Sequence, residues 1–463
     1  MKIELNNLGA IKKAELDISK KLTIFCGPNN SGKTYVAFMI YALTKSGPKY
    51  FRDSESKSFI NELLENGESK YEINIDSLWE YRNKEINELK LSLDNIYGIS
   101  EDVANHLFAN FDLKILETKE EFSSNIHLID FFSEIELKNT LVEIIKTKKQ
   151  NFVQLKLKTK SASKENIEIL NLFLLSKIYS LIAFHPFTSS YILPVERNSI
   201  YTFSKELSIQ KQEFLERAQE LGSKKSKDPF HYFLKKSTRY PMPIKDGLEI
   251  AEDLTNYSKT KSEFYEFALE IENELLQGEV ILTKDGDVQF KSNKAKSKRI
   301  PIHLTASIVK TLSSLIFYLK YIATKNELII IDEPELNLHP NNQVTLTRFF
   351  AKLINKGFRI LISTHSDYII REINNLIMAS SSKKGVKEIA TKQGYTEDIK
   401  LSHNDVNAYL FNYKTEKSRN VSIQEIDVTE TGFDVNTIDK TVDELNEISE
   451  ELFYSIKYSD DND

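Results

Sequence analysis

Short apolar runs recur at both ends of the chain, and helix-length segments lie between them. The runs carry no internal charge, which is typical of strands buried on both faces of a parallel sheet. They occupy 22–25, 191–195, 328–331 and 360–362. Helix-length segments with buried-helix or amphipathic patterns occupy 34–43, 308–323 and 344–355. The alternation of strands and helices predicts an α/β fold.

The rest of the chain is interpreted as insertions and a tail. From about 50 to 160 the chain is rich in Lys, Glu and Asn, and apolar residues at helical spacing predict helices at 86–96 and 137–147. Asp285-Gly286 between two apolar runs predicts a hairpin. We expect head segments at 1–50, 181–200 and 278–400, helical insertions at 51–180 and 201–277 (the second partly basic), and a C-terminal hairpin (406–411 with 421–426) and helix (436–456) within 401–463.

Composition narrows the class of protein without giving its function. Hydrophobic residues are 40% and charged residues 28%, a globular balance. Cys26 is the only cysteine, which excludes an intramolecular disulfide or a Cys-based zinc site and fits a cytoplasmic location. The net charge of −6 excludes a basic nucleic-acid binder overall. No apolar stretch reaches the roughly 18 residues of a membrane span, so we expect no membrane contact.

The turn after the run at 22–25 carries the clearest chemistry. Residues 27–34 read Gly-Pro-Asn-Asn-Ser-Gly-Lys-Thr, which fits the G-x-x-x-x-G-K-[ST] pattern of phosphate-binding loops between a strand and a helix. Backbone N–H groups of such a loop wrap a phosphate, the lysine reaches the β- and γ-phosphates, and the Thr hydroxyl binds Mg²⁺. The predicted nucleotide contacts are Gly27, Asn29, Asn30, Ser31, Gly32, Lys33 and Thr34.

Polar residues also follow two other predicted strands. Asp332 ends the run at 328–331, where a carboxylate is placed to hold Mg²⁺ together with Thr34. Glu333 comes next and can accept the proton of an attacking water. His365 follows the run at 360–362, at the sheet edge where parallel strands bind ligands, and can bind the γ-phosphate. We therefore predict Glu333 and His365 as catalytic residues.

These three groups of residues resemble the ABC-type ATPase heads of the SMC/RecF superfamily, most closely the ATPase half of the overcoming-lysogenization-defect (OLD) family. They are also similar to ATPase subunits of Septu-type and PARIS-type anti-phage systems. The resemblance covers 1–45 and about 300–375, and it extends to Pro194-x-Glu196-Arg197. It implies an α/β, P-loop ABC-type ATPase head with a mixed β-sheet, plus mostly helical insertions, with ATP and Mg²⁺ as cofactors.

In such heads two subunits pack head to tail, and ATP lies between the P-loop of one subunit and a signature Ser of the other. The resemblance therefore implies a homodimer or a higher homo-oligomer. The family usually shows Ser-Ser-Gly or Ser-Gly-Gly at the signature, where this chain has Ala306-Ser307-Ile308. Only Ser307 remains, which predicts slow or partner-dependent hydrolysis. The alternative role of Ser307 is to cap the helix at 308–323.

The loop after Glu333 also matches the family in position. Glu335 and Asn337 follow the place of the D-loop, which crosses the dimer interface in the family. His339 and Pro340 belong to a Leu-His-Pro pattern and are interpreted as structural, because a proline after a turn fixes the backbone.

The resemblance implies an ATPase that senses or clamps a target and controls a separate effector, a nuclease or a toxin, in phage defence. A RecF-like DNA-repair ATPase and a slow-turnover ATP-dependent scaffold are the alternatives. A built-in nuclease is not expected, because no Glu-Gly-x-x-Asp pattern follows His365. Basic residues at 224–240 and 294–299 are either a DNA- or RNA-binding patch or a solvated surface.

Overall fold

We analysed a computed structural model, which describes residues 1–45, 57–137, 140–159, 167–203, 240–294, 298–415, 418 and 420–458. The strands in these ranges are β1 (Lys2–Leu8), β2 (Ile11–Asp17), β3 (Leu22–Cys26), β4 (Glu68–Glu72), β5 (Asp112–Ile115), β6 (Phe131–Leu137), β7 (Thr140–Lys146), β8 (Phe152–Leu157), β9 (Ser190–Leu193), β10 (Gly278–Leu282), β11 (Val288–Ser292), β12 (Ile300–Pro301), β13 (Leu328–Asp332), β14 (Arg359–Thr364), β15 (Val406–Tyr413) and β16 (Val421–Ile426).

Helices connect these strands and cover the sheets. They are α1 (Lys33–Thr44), α2 (Lys57–Asn66), α3 (Ile75–Lys90), α4 (Leu93–Tyr97), α5 (Glu101–Leu107), α6 (Lys119–Ile126), α7 (Ile167–Ala183), α8 (Met242–Glu252), α9 (Leu254–Tyr257), α10 (Tyr265–Ile271), α11 (Ser307–Tyr321), α12 (Pro340–Asn355), α13 (Asp367–Met378), α14 (Lys384–Lys392) and α15 (Asn436–Tyr458). Across the described residues, none of them has the length and hydropathy needed to cross a membrane.

The largest sheet has nine strands in the order β5-β1-β2-β16-β15-β3-β14-β13-β9. Five neighbouring strands, from β15 to β9, run parallel to one another. The strands β1, β2, β5 and β16 add antiparallel pairs at the other side. The predicted α/β class with a mixed sheet is confirmed.

Alternate residues of the parallel strands pack on opposite faces of the sheet. Ile330 and Leu361 join the core that contains the buried face of α1. Ile329 and Ile362 join the second core, which contains the apolar residues of α11, α12 and α13. Helices cover both faces of these strands, so side chains on both faces are buried. For this reason the strand sequences are uninterrupted apolar runs.

The parallel register aligns the ends of these strands. Asp332 pairs with Ser363 across β13 and β14, and Ser363 pairs with Phe25 across β14 and β3. The carboxyl ends of β3, β13 and β14 therefore meet at one edge of the sheet, where ligands bind in folds of this kind.

The helix predicted at 137–147 was wrong. Those residues span the end of β6 and the whole of β7, inside a second, antiparallel sheet with the order β4-β8-β7-β6. In β7 every second residue is buried, among them Val142 and Ile144. Its apolar residues fit helical spacing as well, but β-branched side chains and pairing with β6 and β8 favour the strand. The described residues from 57 to 183 thus form helices α2–α7, this sheet, and β5, which pairs with β1 in the nine-stranded sheet.

Other predicted elements are present in the structure. The segment at 86–96 is helical but breaks between α3 and α4. The hairpin around Asp285-Gly286 is formed by β10 and β11, with Gly286 at φ 81°, a conformation that favours glycine. The basic stretch 224–240 lies, except for Tyr240, outside the described residues.

Candidate nucleotide site

The loop between β3 and α1 has a backbone that only certain residues tolerate. Gly27, Asn30 and Gly32 have φ values of 138°, 62° and 88°. A Cβ on Gly27 would collide with the carbonyl oxygen of Phe411, because β15 passes directly beside the loop. Gly32 is the N-cap of α1 and supplies no side-chain hydrogen bond to the helix. The first N–H groups of α1 are therefore open to an anion.

The remaining residues of the loop differ in exposure. Asn29 and Asn30 are exposed, whereas Ser31 is buried and its hydroxyl donates to the carbonyl of Pro28 at 2.8 Å. Tyr413, which no sequence motif singled out, donates its hydroxyl to the carbonyl of Asn30 at 3.0 Å. The loop is thus braced from inside by Ser31 and from outside by β15.

Lys33 is buried, and its ammonium lies inside the curve of the loop. It donates to the carbonyl oxygens of Gly27 and Pro28, each at 2.8 Å. Burial lowers the pKa of Lys33, and the carboxylates of Glu333 and Asp332 act against that shift. Phosphate oxygens accept stronger hydrogen bonds from an ammonium than carbonyls do, so the loop fits a phosphate at this position.

Asp332 lies at the end of β13, fully buried, with a hydroxyl on each side. Its Oδ2 accepts from the Thr34 hydroxyl at 2.7 Å, and its Oδ1 accepts from the Ser363 hydroxyl. Neighbouring ligands in an octahedron of Mg–O bonds lie about 2.9 Å apart, so the Thr34 and Asp332 oxygens fit that ion. In the described ranges no cluster of three His, Cys, Asp or Glu side chains suits a metal. Mg²⁺ sites built on one or two carboxylates do not need such a cluster.

Glu333 leaves the strand in an unusual conformation. Its φ is 48°, which costs about 1 kcal/mol or more for a residue with a side chain. Its backbone N–H still donates to the carbonyl of Ser363 at 2.9 Å. Burial, with Asp332 and Glu335 adding to it, raises the pKa of the Glu333 carboxyl, while His365 and Lys33 oppose the rise. A raised pKa makes a carboxylate a better general base.

Arg197, which belongs to the Pro194-x-Glu196-Arg197 segment, is a site residue whose role the motifs did not predict. It is fully buried, and its Nη1 donates to the carbonyls of Pro194 (2.9 Å) and Asp332 (2.6 Å). Its Nη2 donates to the carbonyl of Glu333 at 2.6 Å. Burial lowers its pKa to about 10. Arg197 therefore ties the end of β9 to the end of β13 and supports the left-handed backbone of Glu333.

Glu335 follows the position of the family's D-loop, and its place at a dimer interface stays a prediction. Within its own chain the Glu335 side chain is 8% exposed and lies against β14. Its Oε1 accepts from the Thr364 hydroxyl and from the His365 backbone N–H, both at 2.8 Å. The half-exposed His365 ring has its Nδ1 3.4 Å from Glu335 Oε1 and 3.9 Å from Glu333 Oε1. Asn337 is exposed, with φ 61°.

Two interpretations of helix starts can be compared directly with the structure. Ser307 is the first residue of α11, and the N-cap position belongs to Ala306, which provides no side-chain cap. The capping alternative for Ser307 was therefore wrong, and its contact with a nucleotide stays a prediction. His339 is the N-cap of α12 and Pro340 its first residue, so both have a structural role.

One protein family matches most of this chain. A family model described as "AAA ATPase domain" matches residues 1–370, about four fifths of the chain. The chain belongs to the AAA ATPase domain family. No curated protein matches this chain.

Several solved SMC heads are similar to this chain at low sequence identity. An SMC head bound to the C-winged helix domain of ScpA is 13% identical, with a TM-score of 0.35, and the match covers 93% of this chain and 98% of that one. An Smc head from Pyrococcus furiosus with an extended coiled coil, bound to the C-terminal domain of ScpA, is 13% identical (TM-score 0.34; 97% and 98% covered). The SMC head domain from Thermotoga maritima is 10% identical (TM-score 0.30; 92% and 98% covered).

Proposed function

We propose that this chain binds ATP with Mg²⁺ and hydrolyses it at the carboxyl edge of its parallel strands. One observation supports this most: the residues predicted from three distant parts of the sequence lie together. Thr34 is hydrogen-bonded to Asp332, and Glu333 lies beside His365. Membership of an ATPase family supports the same reaction.

Each of these side chains has a distinct task in the proposed reaction. Lys33 exchanges the carbonyls of Gly27 and Pro28 for the β- and γ-phosphates of ATP. Mg²⁺, when bound by Thr34 and Asp332, would neutralise charge on the phosphates. Glu333 accepts a proton from the attacking water, and the ring of His365 lies next to that carboxylate.

We further propose that ATP closes two copies head to tail and that this dimer controls a separate effector in phage defence. In that arrangement the exposed Ser307 at the start of α11 contacts the nucleotide of the second copy. The support for the dimer, the effector and defence is the resemblance of the motifs. Location in the cytoplasm and contact with DNA or RNA belong to the same proposal.

A slow-turnover scaffold is the second candidate, and the signature segment favours it. Ile308 stands where the family has a glycine, and a side chain there restricts the approach of backbone to phosphate. In this case ATP would hold an assembly with a partner, and hydrolysis would release it. Steady-state and single-turnover ATPase rates, with and without DNA, separate this scaffold from a RecF-like DNA-repair ATPase.

Lys33→Ala tests nucleotide binding directly. Loss of a charge-assisted contact should weaken ATP binding by about 2–3 kcal/mol, or on the order of 100-fold. Lys12→Ala, an exposed position on β2, is the control and should bind ATP normally. Calorimetry with ATP measures both. An affinity within about twofold of wild type for Lys33→Ala would reject Lys33 as the phosphate ligand.

A mixing experiment tests the head-to-tail dimer. Ser307→Arg should block ATP-driven dimerisation on size-exclusion chromatography with light scattering, while nucleotide binding at its own loop persists. Mixed with Lys33→Ala, it can rebuild one intact composite site per dimer, so partial recovery of ATPase activity is expected. Normal dimerisation of Ser307→Arg would show that Ser307 does not lie in the interface.

The defence role is tested in cells that express the Lys33→Ala variant together with the neighbouring genes. These cells should lose their resistance to phage.

A further inference from the structure

The loop after β13 carries a buried carboxylate that the proposed reaction leaves without a task. Glu335 Oε1 accepts two hydrogen bonds from the end of β14, one from the Thr364 hydroxyl and one from the His365 backbone N–H. Its Oε2 is buried and has no hydrogen-bond partner among the described residues. A tie between loop and strand needs one acceptor oxygen, which an amide would supply equally well. Burying a charged group with an unpaired oxygen lowers stability, so the negative charge calls for a further explanation.

The ring of His365 provides that explanation. Its Nδ1 lies 3.4 Å from Glu335 Oε1 and 3.9 Å from Glu333 Oε1. A ring nitrogen that faces two carboxylates must carry the hydrogen, because its lone pair would be repelled by both. The partner of one ring nitrogen decides the tautomer of a neutral histidine. Neutral His365 therefore has its hydrogen on Nδ1 and a lone pair on Nε2.

We propose that Glu335 is a positioning residue for His365. The Oε1 atom of Glu335 fixes the backbone of the histidine, and the negative charge of Glu335 fixes the ring of His365 in its Nδ1–H tautomer. This role deepens the proposed ATPase function, and its effect on catalysis rests on that function. The tautomer of His365 does not depend on it. A neutral ring in this state accepts a hydrogen bond at Nε2 and cannot donate one there. It is thus suited to orient an attacking water next to Glu333, in contrast to the γ-phosphate donor expected from the sequence.

The first experiment measures the tautomer without any nucleotide. Protein labelled with ¹⁵N only in histidine is recorded at pH 8, where an ordinary imidazole is neutral. His365→Ala assigns the signal. Wild type should show a protonated Nδ1 and an unprotonated Nε2, and Glu335→Gln should shift the ring toward the other tautomer. A wild-type ring protonated at Nε2, or a tautomer unchanged in Glu335→Gln, would overturn the proposal.

The second experiment measures whether Glu335 acts through His365. Glu335→Gln should lower kcat about tenfold with a KM for ATP within about twofold, and its melting temperature should stay within about 3 °C, because the amide oxygen keeps the tie. In a His365→Ala background the same substitution should change kcat no further. Glu372→Gln, a buried carboxylate on α13 that pairs with Arg348, is the matched control and should leave kcat unchanged.

The two experiments distinguish a failure of this proposal from a failure of the proposed ATPase function. An equal kcat loss from Glu335→Gln in the wild-type and His365→Ala backgrounds would show that Glu335 acts independently of the histidine and would overturn the proposal. If wild-type protein hydrolyses no ATP, the proposed function fails, while the labelled spectra still decide the tautomer.

Discussion

The carboxyl edge of the parallel strands and the antiparallel sheet of β4, β6, β7 and β8 are both well buried, but they are built differently. The edge buries polar and charged groups, including Lys33, Arg197 and Asp332, and holds Glu333 at φ 48°. The antiparallel sheet buries mainly alternate apolar residues such as Val142 and Ile144, and the ammonium of its one buried lysine in the described residues, Lys146, donates to the carbonyls of Thr147 and Gln150 close by in the chain. Strained backbone and buried charge are costly and persist where the surrounding structure supports them. The difference indicates that the edge is organised for chemistry and the second sheet for packing.

This contrast predicts two kinds of mutational effect. At the edge, a substitution should change nucleotide chemistry, with a loss of stability only where a buried polar network is broken. In the antiparallel sheet, a substitution should create a cavity and lower stability while the nucleotide site keeps its properties.

Glu333→Gln should give the largest effect, on hydrolysis alone. The amide keeps the shape of the carboxylate but cannot accept a proton, so we expect hydrolysis to slow by about 100- to 10,000-fold. ATP should remain bound, and dimers should accumulate on size-exclusion chromatography. Glu388→Gln, at an exposed position of α14, is the control. A wild-type rate in Glu333→Gln would place the base elsewhere.

Arg197→Met should affect both stability and hydrolysis. It removes the donors to the carbonyls of Pro194, Asp332 and Glu333 and leaves buried acceptors unpaired. We expect a loss of about 4 kcal/mol in the free energy of unfolding, measured with denaturant, and slower hydrolysis in the protein that remains folded. Arg371→Met, an exposed partner of Asp367 on α13, should lose less than about 1 kcal/mol. Equal losses in both variants would contradict the role of Arg197.

Ile144→Ala tests the antiparallel sheet. Its side chain is fully buried between β6 and β8, and truncation should cost about 3 kcal/mol of unfolding free energy. ATP affinity, measured by calorimetry on folded protein, should not change. Ile145→Ala, on the other face of the same strand, should lose less because that face is half-buried. A change in ATP affinity greater than about tenfold in Ile144→Ala would show that the two regions are coupled.

Ser307→Ala should have the smallest effect on stability. Because Ala306 holds the N-cap position, the hydroxyl of Ser307 caps nothing, and we expect a change of less than about 0.5 kcal/mol. Thermal unfolding measures this in a single experiment. A loss near 1 kcal/mol would show that Ser307 caps α11 after all.

Much of the candidate site could be predicted from the sequence, because local patterns specify it. A phosphate-binding loop needs glycine at fixed places between a strand and a helix, and 27–34 shows that spacing directly. Asp332 and His365 come after uninterrupted apolar runs, which are typical of strands that are covered on both faces. The contact between Thr34 and Asp332, whose positions differ by 298, then follows from aligned strand ends in a parallel sheet.

Other features depended on the tertiary structure. The segment at 137–147 fits a helix or a strand by spacing, and pairing with β6 and β8 decided between them. The sequence places Arg197 and Glu335 in segments that resemble the family, but it does not show that their side chains are buried, since charged residues are mostly exposed. Their burial follows from the way β9, β13 and β14 end side by side, which leaves backbone carbonyls and N–H groups that need partners. The sequence by itself determined where the candidate nucleotide loop and the parallel strands lie, because those signals are local. Only the folded chain decided which charges support the proposed catalytic residues, because hydrogen bonds between distant strand ends leave no periodic trace in the sequence.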